Sequence, residues 1–228
     1  MKSCPPRSCK TRQIFSRFSL FFTNSRRVDA LKLAVGLAEH QPLVVWIYHD
    51  HEEFITRTGM PEWSGGAFDP RKERSYFYGR ANETMYHEFT HQVLEVFSGR
   101  NSAPAWLVEG IATYTMYPVF EMGRVSMPGN PYDASYSIDD LFVIRTTAAW
   151  YRVNEDSQRR GLPSPYGSAG SVVTFCMNGD DAAYRADFLD FLRDSYQGAT
   201  RNHEAWDYLG LTHDEFTRRY AEWGKPNR

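Results

Sequence analysis

The chain has 228 residues, 42% of them apolar and 24% charged, with a formal net charge of −2. That is ordinary globular composition, and the length suffices for one domain whose core needs no disulfide staples. The charge is unevenly placed. Residues 1–28 carry Lys2, Arg7, Lys10, Arg12, Arg17, Arg26 and Arg27 and no acid, and removing these seven cations from −2 leaves the remainder at −9. An acidic body argues against nucleic acid as a partner. Cys4, Cys9 and Cys176 do not make a disulfide framework, and Cys176, in an apolar segment, reads as a small buried hydrophobe. No apolar run reaches about 18 residues, so no transmembrane segment is expected.

Residues 1–27 read as a basic, poorly ordered leader. Three readings stay open: a degenerate export signal for an exported or periplasmic protein, a disordered tail of a cytoplasmic one, or a start placed too far upstream. Its most apolar stretch, 14–22, is interrupted by Arg17, unlike a secretory core. Residues 28–228 form the expected domain. A short helix is predicted over 28–39, then a buried strand over 43–48, where Val44, Val45, Trp46, Ile47 and Tyr48 are β-branched or aromatic. A polar turn at His49-Asp50-His51 starts the next helix. Residues 61–70, with Gly65-Gly66, read as a loop or hairpin, and 75–79 as a short aromatic strand.

A helix capped by Asn82 is predicted to run to about Phe97 and stop at Gly99, and a second from Ala105 to about Tyr117, ended by Pro118. Residues 123–131 read as loop or hairpin. A helix capped by Ser137 falls within 137–150, with Asp139 and Asp140 in its first turn. A polar connection spans 152–165. Helices follow over 166–177, 184–196 and 212–223, the last with Thr212 and Glu215 in a capping box. Strands first and helices later make an α+β pattern, with a mostly helical part from about residue 137.

The chemistry gathers at His87-Glu88-Phe89-Thr90-His91. Histidines four apart lie on one helix face a turn apart, where two imidazoles can share one Zn²⁺. Glu88 then projects beside the metal, where a general base for an attacking water belongs. The three fixed letters arise by chance in roughly one such chain in a hundred, and two solvated histidines on an amphipathic helix are the plain alternative. Catalytic zinc normally takes three protein ligands. Glu109, alone in the apolar helix Ala105-Trp106-Leu107-Val108-Glu109-Gly110-Ile111-Ala112, supplies the third, because an unpaired buried carboxylate is costly. Pairing with an arginine, or exposure to water, is the competing reading of Glu109.

Tyr86-His87-Glu88-Phe89-Thr90-His91-Gln92, followed by Pro104-Ala105-Trp106-Leu107-Val108-Glu109-Gly110-Ile111-Ala112-Thr113-Tyr114, resembles the gluzincin superfamily of zinc metallopeptidases. The closest likeness is to bacterial peptidase-MA-like domains, and it continues more weakly over 43–223. The resemblance implies a zincin-like α+β fold, with a small mixed sheet packed on the active-site helix. It implies His87, His91 and Glu109 as Zn²⁺ ligands, Glu88 as general base, a peptide or protein substrate, and Tyr76, Phe77 and Tyr78 as the edge of the substrate cleft. Tyr166 best fits the family's oxyanion donor, ahead of Tyr114 and His203. Where gluzincins often carry a carboxylate that orients a zinc-bound histidine, this chain has Thr113, a weaker acceptor; Asp139 or Asp140 could substitute. The reading that follows is a zinc-dependent hydrolase of peptide bonds. Its rival is a catalytically weak or inactive binding or scaffolding module that keeps the metal.

Overall fold

The computed structural model describes residues 44–79, 83–98, 103–121, 124–200 and 202–225. The leader, the helix expected over 28–39, and the caps expected at Asn82 and Gly99 lie outside the described residues. The first elements are β1 (Val44–Tyr48), α1 (His51–Thr58), β2 (Gly66–Asp69) and β3 (Arg74–Tyr78). They make a three-stranded mixed sheet in the order β1-β3-β2, with β1 parallel and β2 antiparallel to β3. The expected buried strand over 43–48 is therefore an edge strand. Val44 is 40% exposed and only Tyr48 is buried, because the central place belongs to β3. The apolar run recorded strand propensity, which does not distinguish edge from centre.

Side-chain alternation along β3 sends its residues to two layers. Tyr76 joins Tyr48 and Phe54, and Tyr78 packs against them. Phe54 comes from α1, which is capped by Asp50 accepting from the Glu53 N–H at 2.9 Å and ended by Gly59 at φ +72. The expectation of a solvated turn at His49-Asp50-His51 therefore holds, with Asp50 as its cap. Phe77 and Ser75 point the other way, to α2 (Glu83–Ser98). Phe77 meets Phe89 edge-on at 5.6 Å. Ser75 donates to Gln92 Oε1 at 2.9 Å, and Gln92 Nε2 donates to the Glu73 carbonyl at 2.9 Å. The site helix is thus tied to the sheet by an apolar and a polar contact.

Next comes α3 (Ala105–Tyr114), all ten residues of which are buried. A helix apolar on every side belongs inside a fold, and α3 lies between α2 and α6. It ends three residues before the expected Tyr117, at the cap Thr115. The hairpin of β4 (Val119–Glu121) and β5 (Arg124–Ser126) follows, so the expected 123–131 hairpin begins earlier. Then come α4 (Ile138–Phe142), α5 (Thr147–Arg159), α6 (Pro165–Asn178), α7 (Arg185–Gln197), α8 (Ala205–Tyr208) and α9 (His213–Trp223). The main core joins Leu94 of α2 to α3 and the later helices, with Trp106, Trp150 and Phe216 fully buried. Cys176 is also fully buried.

One expectation is corrected outright. Residues 152–159, expected as part of a polar connection, belong to a helix that begins at Thr147. Its buried face is Trp150, Asn154 and Ser157, with Val153 packed alongside. Two of those positions are polar, so a hydrophobic period does not reveal the helix. The fold is mixed, a small sheet followed by a mostly helical remainder, compatible with the α+β expectation. Among the described residues no helix is long and apolar enough to cross a membrane.

Candidate metal centre

Gly66 explains how the sheet reaches the site helix. A Cβ there would stand 2.8 Å from the Phe77 ring and 3.1 Å from Glu88 Cγ, so only glycine lets β2 lie against α2. On the same helix, His87 and His91 turn toward α3. His87, His91 and Glu109 are 7%, 8% and 5% exposed. His87 Nε2 stands 3.1 Å and His91 Nε2 3.4 Å from the same Glu109 oxygen, and the two Nε2 atoms are 3.0 Å apart.

Three donor atoms converging on one point are poorly served by protons. Two imidazole Nε2 atoms 3.0 Å apart need a proton between them or a shared cation. Metal–ligand bonds of about 2.0–2.2 Å put neighbouring ligand atoms about 3–3.5 Å apart, and the observed triangle has that size. The buried His-His-Glu group can hold a metal ion, and the donors fit one without rearrangement. The charges of the three side chains report the same attraction. Burial opposes a charged His91, but the Glu109 carboxylate outweighs it and lifts the imidazole to about 9. Burial likewise opposes a charged Glu109, but His91 and the bonds from both imidazoles pull it down to about 2.

Glu88 is near both histidines without joining the triangle. Burial raises its carboxyl above the ordinary range, against the pull of His87, His91 and the Phe68 backbone N–H. All four of His87, Glu88, His91 and Glu109 line one cavity of about 400 Å³. One side of it is Gly66, Ala67 and Phe68 of β2; the opposite side is Thr147 and Tyr151 of α5, with Tyr166.

Tyr166, in the first turn of α6, lies where it was expected. Its ring meets His87 edge-on at 5.7 Å and Trp150 at 5.2 Å, and burial holds its hydroxyl well above the tyrosine range. Tyr114 and His203 do not line the cavity. Tyr114 donates to the Met127 carbonyl at 3.3 Å, and His203 pairs with Asp207 at 3.6 Å.

Two expectations are corrected by the geometry. Tyr76, Phe77 and Tyr78 do not form the cleft edge: β3 is the central strand, and the edge strand lining the cavity is β2. Thr113 does not back a histidine; its hydroxyl donates to the Glu109 carbonyl at 2.7 Å, one turn back on its own helix. Nor do the two aspartates substitute. Asp139 pairs with His213 at 2.9 Å, and Asp140 accepts from Ser137 at 2.7 Å. Negative charge beside His91 comes first from Glu109, then from Glu88, and last from Glu95, one turn further along α2 and also lining the cavity. The four-residue step from His91 to Glu95 was readable in the sequence. Tyr151 was not, because its helix was read as a connection. Burial, with the charges of Glu109 and Glu88, holds the Tyr151 hydroxyl above the ordinary range, so both cavity tyrosines remain donors.

Comparison with protein-family models, curated proteins and solved structures finds no match in any of the three.

Proposed function

We propose that this chain is a zinc-dependent hydrolase of peptide bonds, a zincin-like metallopeptidase of the gluzincin type akin to the peptidase-MA-like domains. The observation that carries this reading is the buried triangle of His87 Nε2, His91 Nε2 and Glu109 Oε2, with sides of 3.0–3.4 Å, opening on a cavity that Glu88 also lines. Two nitrogens and one carboxylate oxygen are a donor set typical of catalytic zinc, which keeps a further position for the reaction. When bound, the metal supplies Lewis acidity, which acidifies water and polarises a carbonyl.

The chain's own residues do the rest. Glu88, whose carboxyl is raised by burial, takes a proton from the attacking water and delivers it to the leaving amine nitrogen. Tyr166 or Tyr151 donates a hydrogen bond to the oxygen that gains charge. The outer edge of β2 receives an extended peptide through main-chain hydrogen bonds. In support, among the described residues β2 pairs only with β3, and Gly66, Ala67 and Phe68 line the cavity.

The test is zinc content of the purified protein followed by cleavage of a peptide library by wild type and Glu88→Gln. One equivalent of zinc in both, with a loss of about 10²–10⁴-fold in kcat for the variant, is the expected result. A protein without zinc ends this reading. Zinc without Glu88-dependent cleavage returns it to a metal-holding binding module, for which the diverted Thr113 hydroxyl is the supporting feature.

A further inference from the structure

The mouth of the cleft carries two large aromatic side chains that neither the metal triangle nor the core uses. Trp63, in the loop ahead of β2, is 39% exposed, and Tyr151, in the second turn of α5, is 37% exposed. Their rings stand 6.2 Å apart, tilted by 58°, so the sheet side and the helical side of the cleft meet there. Both line the cavity that holds His87, His91 and Glu109. Neither belongs to a buried apolar cluster or packs against one. Met60, Phe68 and Met116 extend the same apolar lining inward.

Exposed aromatic rings in contact form a broad, stiff surface. They cover apolar area at little cost in side-chain freedom, and it is their contact with each other on the lining of the metal-centre cavity, not their exposure alone, that makes them a surface for a ligand. The charge of the cavity narrows the ligand further. Its lining includes Glu88, Glu95 and Glu109 and, among the described residues, no lysine or arginine, so an acidic side chain is disfavoured there.

We propose that Trp63 and Tyr151 are the specificity subsite of this cleft, selecting substrates with an aromatic or large aliphatic side chain beside the scissile bond. The inference rests on the peptidase reading of the metal centre, and it is tested by binding as well as by turnover. The probes are phenylalanine hydroxamate and glycine hydroxamate, two metal-chelating amino-acid derivatives that differ only in the benzyl side chain. Their affinities for zinc-loaded wild type, Trp63→Ala and Tyr151→Ala are measured by calorimetry. The expected result is a preference of about tenfold or more for the phenylalanine probe in wild type, cut below about threefold in each variant, with zinc content unchanged. In turnover, which is read on Trp63→Ala alone, the loss falls on peptides with Phe or Leu at the cleavage site and not on those with Ala. Equal affinity for the two probes, binding of neither, or a preference that survives both substitutions overturns the subsite while leaving a zinc-loaded centre standing. A wild type that holds no zinc ends the metal reading, and the subsite with it.

Discussion

One wall of the cleft, α2 with α3, buries its chemistry: His87, His91 and Glu109 are each less than a tenth exposed, and α3 is wholly enclosed. The facing wall, α5 with the start of α6, is looser in kind. Tyr151 is 37% exposed, and the helix that carries it buries Asn154 and Ser157 where a core helix would place leucines. The contrast separates two tasks. A metal site tolerates little slack, so its ligands sit on buried helix faces, Glu109 on a helix enclosed on every side. A surface that meets substrates of varied shape can stand on a helix packed along one stripe and held by hydrogen bonds.

The largest effect expected is on the enclosed wall. In Glu109→Ala, the two imidazoles lose the oxygen they share at 3.1 and 3.4 Å, and two histidines alone do not complete a zinc site. Metal content measured by mass spectrometry falls from about one equivalent to near zero, and cleavage disappears with it. Full zinc content in this variant would mean that Glu109 is a charge partner and not a ligand.

A smaller but still large effect tests how tightly that wall is packed. A Cβ on Gly110 would stand 2.9 Å from the Ala169 carbonyl oxygen and 3.0 Å from Val173 Cγ2. The first neighbour is backbone and does not rotate away. Gly110→Ala therefore costs about 1–3 kcal/mol of overpacking, and because the neighbour is backbone the upper half of that range applies, so that a net loss of about 1–2 kcal/mol is left after the roughly 1 kcal/mol that alanine contributes to helix formation. Denaturant unfolding should show the loss, and an unchanged midpoint would mean that α3 and α6 are less closely apposed than they stand here.

The same contrast explains what could be read from the sequence. The enclosed wall was legible because its constraints are local and periodic. His87 and His91 repeat with the helix, and Glu109 is conspicuous as the lone charge in an apolar run. The helix start after the polar turn at His49-Asp50-His51 and the capping box at Thr212 were legible for the same reason. Strand order was not, since nothing in Val44–Tyr48 says that β3 will pair on one side and, among the described residues, no strand on the other; hence Tyr76, Phe77 and Tyr78 were placed at the cleft edge that β2 occupies. Thr113 was aligned by spacing with a histidine partner, but a hydroxyl can bond to its own helix, and it does. Tyr151 stayed hidden because Asn154 and Ser157 become core residues only through partners elsewhere in the chain.

Those partners carry the finest prediction. The Asn154 side chain, 1% exposed, accepts a hydrogen bond from Ser164 Oγ at 2.8 Å. Ser164 is the N-cap of α6, accepting from the Tyr166 N–H at 3.4 Å. Ser157, one turn from Asn154, is bonded to the Tyr136 hydroxyl. The polar face of α5 thus holds the helix start that presents Tyr166 to His87. Asn154→Ala leaves the Ser164 hydroxyl short of a partner at a cost of about 1–2 kcal/mol at most, no more than the net loss in Gly110→Ala. Because this chain of bonds reaches the metal triangle only through the ring of Tyr166 against His87, zinc content should stay full while kcat falls by a few-fold at most. Asn154→Asp, which keeps an acceptor in place, should recover most of that loss. A drop in zinc content in either variant would join the two walls into one unit and remove the distinction drawn between them.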